Sequence, residues 1–314
     1  MSYASDVKNE TAQKIMKGND ARAELSALIQ MTSSLSISNR GMNLLVIVEN
    51  AAVARLIYKL VKDRYKADLE LFVKKKMNLK KNRVYGIRIM THVRSILEDL
   101  GLYSARGLLD KPLLKIVQYD SNARAYLAGA FMASGSINSP EKANYHLEIA
   151  AVSDIHADFL IQLLSRFAIN GKMIERRGKT VVYVKAAEKI ADFLRIIEAN
   201  EALMKFENVR ISRDFANSLT RLNNMDVANE VKTQTAALKQ LEDIRILEEG
   251  DKIRFLDQKI VDVIELRKEF PESSLNELAE EYEKRTGIKM SKSGLKHRFV
   301  KIHDLAVKGV SNGQ

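Results

Sequence analysis

Apolar residues change their spacing along the chain, and each change marks an element. Residues 4–16 predict a first helix, with Ser5 as its cap and Val7, Ile15 and Met16 on one face. DARAELSALIQM (20–31) carries a second helical stripe. TSSLSISNRG reads as a polar turn and a strand, and NLLVIVEN as a strand. AAVARLIYKLVKDRY is an amphipathic helix, ELFVKKKMN and NRVYGIRIM alternate as strands, and a short helix falls near THVRSILEDLGL. From about residue 121 the order returns. SNARAYLAGAFMASG is helical, SIN opens a strand and YHLEIAAVS is a strand. IHADFLIQLLSRF is a helix, GKMIERRG and TVVYVK are strands, and AAEKIADFLRIIEA is a helix.

The return is an internal repeat. Leu25, Ala27, Ile29, Ser34 and Leu35 precede Leu127, Gly129, Phe131, Ser136 and Ile137 by 102 positions. Leu44, Val46, Ala54, Leu56 and Leu60 precede Leu147, Ile149, Ala157, Phe159 and Leu163 by 103. Val84, Ile87, Arg88 and Leu97 precede Val181, Val184, Lys185 and Leu194 by 97, a drop assigned to a longer hairpin at KKKMNLKKNR. The expected fold class is α+β. Two α-β-β-α-β-β-α halves, about 1–118 and 119–216, would pack around a pseudo-twofold axis.

Beyond residue 200 the strand pattern stops. A polar stretch without Gly or Pro, RDFANSLTRLNNMDVANEVKTQTAALKQLEDIRIL, predicts one long helix or a helix pair. KIVDVIELRKEF, SLNELAEEYEKR and SKSGLKHRFVKIHDLAVK predict three more helices. Ser273 or Ser274 caps the second of these, with Glu277 at capping-box spacing from Ser274, and Ser291 or Ser293 caps the third. Residues 217–314 thus form a helical second domain, with a helix-turn-helix at about 273–306.

Composition narrows the function. The 314 residues include no Cys, which excludes disulfides and thiolate zinc sites. Fifty-one Lys and Arg face 40 Asp and Glu, a net charge of +11 that favours polyanionic partners, nucleic acid first. The N-terminus lacks the apolar core of a signal peptide, and no apolar run reaches membrane-spanning length. A cytoplasmic protein without membrane insertion is expected. No catalytic triad, HExxH, P-loop or GxGxxG occurs, and the five His residues are scattered.

YLAGAFMASGSI (126–137) resembles the LAGLIDADG motif of homing endonucleases, and ELSALIQMTSSL is a degenerate copy. In that family two such helices pack along the pseudo-twofold axis, where Gly129 and Ala133 would allow close approach. The helix ends deliver carboxylates that hold divalent metals. Here those acid positions map to Thr32 and Ser134, and an earlier consensus acid to Gln30 and Met132. A hydroxyl cannot replace a carboxylate as a hard metal ligand. Asp120 and Glu141 lie outside the helix end and do not substitute. The expectation is a non-enzyme with no metal and no cofactor.

Three basic regions are candidate DNA contacts. Between Lys59 and Arg94 lie twelve Lys and Arg against three acids. By the homing-endonuclease resemblance, the hairpins of both halves form a saddle on duplex DNA. Its candidates are Lys74, Lys75, Lys76, Lys80, Lys81, Arg83, Arg88, Arg176, Arg177, Lys179 and Lys185. Such residues would neutralise phosphates without reading sequence; the same strands suit a protein-binding surface equally. From Lys284 to Lys301 there are seven Lys and Arg and no acid. Ser274, Ser291, Lys292, Ser293, Lys296, His297, Arg298 and Lys301 are the helix-turn-helix candidates, with Arg298 suited to a bidentate guanine contact. In the connecting stretch, Arg221, Asn223, Asn224 and Lys232 could bind phosphate or form an interdomain surface.

Together these features resemble the WhiA family. The resemblance rests on SYASDVKNE, YLAGAFMASGSI, TRLNNMDVAN, SLNELAEEY and SKSGLKHR and covers nearly the whole chain. Two departures are Lys296, where the family commonly carries Asn, and Met225, where Cys is frequent and a small core change is expected. The family combines a LAGLIDADG-like domain lacking nuclease residues with a helix-turn-helix. The resemblance implies a sequence-specific transcriptional regulator of Gram-positive bacteria, acting in cell division and chromosome segregation, and in sporulation in relatives. It would be nucleoid-associated, with double-stranded DNA as partner and proteins of transcription or division as further ones. A single helix-turn-helix reads few base pairs, so a second DNA contact or a dimer would be required. A metal-dependent homing-type endonuclease and a protein-binding scaffold are the alternatives.

Overall fold

The computed structural model describes residues 2–39, 41–75, 83–142 and 144–311. Helix α1 (Tyr3–Gln13) is capped by Ser2 rather than Ser5, the Ser2 hydroxyl oxygen accepting from the Ser5 amide at 3.2 Å. The helix stops where Lys14 turns extended, so Ile15 and Met16 do not extend the Val7 face, and Ile15 is exposed.

The first half of the repeat follows as α2 (Gly18–Thr32), β1 (Ser33–Ser38), β2 (Gly41–Val48), α3 (Ala51–Tyr65), β3 (Leu69–Lys75), β4 (Arg83–Ile89) and α4 (Val93–Asp99). A short hairpin, β5 (Tyr103–Ser104) and β6 (Gly107–Leu108), and a 3-10 turn at Leu114–Val117 connect the halves. The second half is α5 (Asp120–Ser134), β7 (Gly135–Ile137), β8 (Leu147–Ala150), α6 (Asp154–Ser165), β9 (Lys172–Arg176), β10 (Lys179–Val184) and α7 (Ala187–Ile196). Each half builds one antiparallel sheet with the same strand order, β1-β2-β4-β3 and β7-β8-β10-β9. Shifted by 102 positions, α2 and α5 coincide end to end.

Strand register corrects one detail of the repeat. Leu44 pairs with Ile89 and Val46 with Ile87, while Leu147 pairs with Val184 and Ile149 with Val182. The structural partners of Val182 and Val184 are therefore Ile87 and Ile89, two residues from the sequence match. A shift of two keeps every side chain on its face, which is why apolar matching tolerates it. The longer first hairpin holds, since residues 76–82 separate β3 from β4 and only Arg177 and Gly178 separate β9 from β10. Both turn residues have positive φ, 55° and 68°, the geometry that matches strand twist in two-residue hairpins.

The two halves join through α2 and α5. Ala23 and Ala27 of α2 belong to the apolar core of the second half, and Met132 of α5 belongs to that of the first. A Cβ built on Gly129 would collide with the Glu24 carbonyl oxygen and sit 3.0 Å from the Ala27 Cβ, so the helix backbones meet there. Polar pairs flank the contact. Asn122 Nδ2 donates to Asp20 Oδ1 at 2.7 Å, and the Tyr126 hydroxyl donates to Gln30 Oε1 at 2.7 Å. His156 Nε2 lies 2.9 Å from the same hydroxyl, and burial holds its pKa down to about 4. Glu24 is fully buried and neither carboxyl oxygen has a hydrogen-bond partner, so desolvation pushes its pKa up to about 8.

The polar stretch forms a single helix, α8 (Asn200–Glu249), of 50 residues. The chain divides into compact units between Arg213 and Asp214, inside this helix. Met225 is 54 % exposed, so the expected core change there is a surface one. In the second unit α9 (Gln258–Glu269), α10 (Leu275–Thr286) and α11 (Lys292–Ser311) enclose a core of Val263, Ile264, Leu278, Tyr282, Leu295, Phe299 and Ile302, closed by Ile244 and Leu247 of α8. Among the described residues, no helix is long and apolar enough to cross a membrane.

Two outcomes are expected from this packing. Gly129→Ala must force α2 and α5 apart, lowering stability by about 1–3 kcal/mol or more in urea unfolding. Glu24 holds a proton in the folded state that the unfolded chain releases near pH 4.3. Its contribution to stability therefore falls as pH rises from there to about 8. The Glu24→Gln variant is expected to lose that slope, gaining thermal stability over the parent at pH 8 and little at pH 4.

Candidate nucleic-acid interface

A basic face lies on α11. Leu295, Phe299, Ile302 and Ala306 repeat at helical spacing and are buried, which turns Lys292, Ser293, Lys296, His297, Val300 and Lys301 outward. Ser291 caps the helix, its Oγ accepting from Gly294 N–H at 3.1 Å, and its own hydroxyl proton remains available to an acceptor. Arg298 is half-buried and donates to the Gly294 carbonyl at 3.1 Å, so its guanidinium rests on its own helix. Among the described residues, Lys292, Lys296 and Lys301 form no ion pair.

The preceding helix is held differently. Ser274 and Glu277 form a full capping box at the start of α10, and the backbone bond lowers the Glu277 carboxyl pKa. Lys284 pairs with Glu281, and Arg285 with Glu265 and Glu269 of α9. The cations of α10 are thus paired within the fold, while Lys292, Lys296 and Lys301 of α11 face outward. Gly287, with φ 71°, ends α10, and five residues separate the helices.

Two residues that sequence reasoning missed set this arrangement. Arg267 is 1 % exposed, and its guanidinium donates to the carbonyls of Phe270 (3.2 Å) and Ser273 (2.6 Å) while lying 5.4 Å over the Phe299 ring. It fixes the α9–α10 turn against α11, and burial lowers its pKa to about 10. Its position on the stripe Ile260–Val263–Ile264–Arg267 was the available signal. His303 of α11 contacts both Asp243 carboxylate oxygens at 3.0 Å, tying α11 to α8. The connecting residues Arg221, Asn223, Asn224 and Lys232 are all exposed on α8.

In the first unit, strand alternation sorts the saddle candidates. Lys74 and Arg88 share the outward sheet face with Leu45 and Ile47, and Arg176, Lys179 and Lys185 share the corresponding face of the second sheet. Lys75 and Arg83 pair at the hairpin end on the other face, and Arg177 occupies the β9–β10 turn. Lys76, Lys80 and Lys81 lie outside the described residues. The outward charge is partly neutralised, since Arg88 pairs with Glu70 at 2.5 Å and Arg176 with Glu148 at 3.5 Å. Phe72 covers Gly86 and receives Lys74 at 5.1 Å and Arg88 at 5.9 Å over its ring.

Thr32 and Ser134 are the last residues of α2 and α5, equivalent across the repeat. Thr32 Oγ1 donates to the Leu28 carbonyl at 2.6 Å and Ser134 Oγ to the Ala150 carbonyl at 2.7 Å. Both line a cavity of about 1010 Å³, together with Lys8, Glu49 and Arg83.

These two units define a protein with a duplicated LAGLIDADG-like domain followed by a helix-turn-helix domain. Residues 19–103 match the WhiA N-terminal LAGLIDADG-like domain, residues 123–216 the WhiA LAGLIDADG-like domain, and residues 219–306 the WhiA C-terminal HTH domain. The probable cell division protein WhiA of Bacillus cereus (strain AH187) is 43 % identical over 309 residues, covering 98 % of this chain and 97 % of that protein. Its counterpart in Bacillus anthracis (strain CDC 684 / NRRL 3495) matches with the same values. The crystal structure of full-length DUF199/WhiA from Thermatoga maritima aligns with a TM-score of 0.60 at 21 % identity, covering 98 % of this chain and 99 % of that one. The N-terminal LAGLIDADG domain of DUF199/WhiA aligns with a TM-score of 0.50 at 22 % identity, covering 62 % and 89 %. The chain belongs to the WhiA family.

Replacing Arg267 by Ala leaves the part-buried Ser273 carbonyl without its guanidinium donor, weakens the pairing of the Phe270 carbonyl and opens a void under Phe299. A loss of about 2–4 kcal/mol in urea unfolding of the full chain is expected.

Proposed function

We propose that this protein is a sequence-specific, non-enzymatic DNA-binding regulator. The observation that carries the reading is the outward face of α11, where Lys292, Lys296, His297 and Lys301 stand together beside the helix N-terminus without an acid among them. Ser291, Ser293 and the dipole of α11 would hold backbone phosphate, and Lys296 and His297 would reach base edges. Arg298 would need to leave Gly294 to read guanine, and Ser274 at the start of α10 would meet the flanking backbone. The outward cations of the two sheets, with Lys75, Arg83 and Arg177 at the hairpins and Lys76, Lys80 and Lys81 from outside the described residues, would add a second contact independent of sequence, and Arg221 and Lys232 further phosphate contacts. The Arg88–Glu70 and Arg176–Glu148 pairs favour α11 as the primary contact.

The non-catalytic reading is supported by Thr32 and Ser134, which carry no charge and direct their protons at backbone carbonyls. The relatives' description as probable cell division proteins supports a role in cell division. We extend it to chromosome segregation, with sporulation in relatives, from a cytoplasmic, nucleoid-associated position.

Binding of labelled genomic duplexes by the full chain at several salt concentrations tests the proposal. Lys292→Ala is expected to weaken all duplexes alike and reduce the salt slope by about 0.9. Lys296→Ala is expected to weaken the preferred duplex by roughly fivefold or more and narrow its advantage over random DNA. Equal binding by parent and both variants would remove α11 from the interface. Duplex nicking that requires Mg²⁺ and survives purification would revive the endonuclease reading.

A further inference from the structure

The cavity at the feet of α2 and α5 has a chemistry of its own. One wall comes from α1, which precedes the repeat and has no counterpart in the second half. It contributes Ser2, Ser5 and Lys8. The Lys8 ammonium lies 5.9 Å from the centre of the Phe131 ring and forms no hydrogen bond or ion pair among the described residues. Burial lowers its pKa to about 8, against the opposing pull of Glu49. Arg83 adds a second cation from the start of β4.

The rest of the lining differs. Thr32 and Ser134 have already given their protons to the Leu28 and Ala150 carbonyls, so both hydroxyl oxygens can only accept. The Glu49 carboxylate lies in the same lining. The cavity therefore brings two cations, one carboxylate and two acceptor hydroxyls together within about 1010 Å³, at the upper end of small-ligand sites. A metal-binding foot would need two carboxylates; hydroxyls with a nearby lysine suit a phosphate held directly.

We propose that this cavity binds a nucleotide, its phosphates against Lys8 and Arg83 and its ribose hydroxyls or base amine against Glu49, Thr32 and Ser134. The phosphate engages the ammonium and guanidinium by charge-assisted hydrogen bonds, which are about twice as strong as neutral ones. A nucleotide carries ribose hydroxyls and a base amine that can reach Glu49, Thr32 and Ser134 while its phosphates stay on the cations, and inorganic phosphate cannot reach both. This inference stands apart from DNA binding by α11, and either can fail alone.

Fluorescence titration of the full chain with N-methylanthraniloyl-labelled ATP and GTP, free of divalent metal, tests it. Saturable binding is expected, weakened roughly tenfold or more in Lys8→Met and in the surface variant Arg83→Ala. Thermal melts verify that each variant is folded. Glu49→Gln is expected to weaken the nucleotide and leave competition by inorganic phosphate unchanged. No binding at millimolar nucleotide, or equal binding by the parent and both folded cation variants, overturns the proposal. Displacement by a 20-base-pair duplex that depends on Lys8 and Arg83 would also overturn it, assigning the phosphate to the DNA backbone.

Discussion

The close contact of α2 and α5 at Gly129 is the constraint on which the first unit depends. Each half buries its sheet under its own helices, but neither closes its core alone. Ala23 and Ala27 complete the second core and Met132 the first, and this exchange works only if the backbones approach with no side chain between them. The same approach seals Glu24 away from water, which makes it a cost that depends on its proton. It also fixes the separation of Thr32 and Ser134, because both end helices whose crossing is already set.

Those helix ends show how a fold can keep its geometry while its chemistry changes. Two carboxylates at such close quarters would repel unless a metal lay between them. Two hydroxyls bonded to carbonyls need no counterion and leave room for a lysine from α1. With the proposed nucleotide, the helix feet would face an anion, beside α2 and α5 packed through Gly129. In the second unit charge is divided as well: Arg285 of α10 pairs with Glu265 and Glu269 of α9, Lys284 pairs with Glu281 of its own helix, and Lys292, Lys296 and Lys301 of α11 form no ion pair among the described residues.

The duplicated architecture was legible because apolar alternation and helical stripes recur in the same order at a nearly fixed offset. Capping chemistry was legible at Ser274, where Glu277 sits at the right distance, and less so at Ser2, where the extended N-terminal residue rather than Ser5 takes the cap. The two-residue slip at β10 was invisible to matching, since it preserves the face of Val182 and Val184. Contacts between distant segments were not legible. Lys8 reads as an ordinary helix cation until α1 folds over Phe131, and Arg267 reads as surface charge until the α9–α10 turn wraps its carbonyls around it. Met225 was placed in a core on family grounds and is exposed on α8.

In the proposed function α11 reads sequence while the repeat domain does not. The most direct measurement selects bound duplexes from a random pool with the full chain and maps protein–DNA crosslinks on the enriched pool. A short enriched sequence is expected, its base crosslinks falling on Lys296 and His297 and any crosslinks to Lys74, Arg88, Arg176 or Lys179 confined to the sugar–phosphate backbone. An enriched sequence crosslinked through its bases to the sheets, with none on α11, would contradict it.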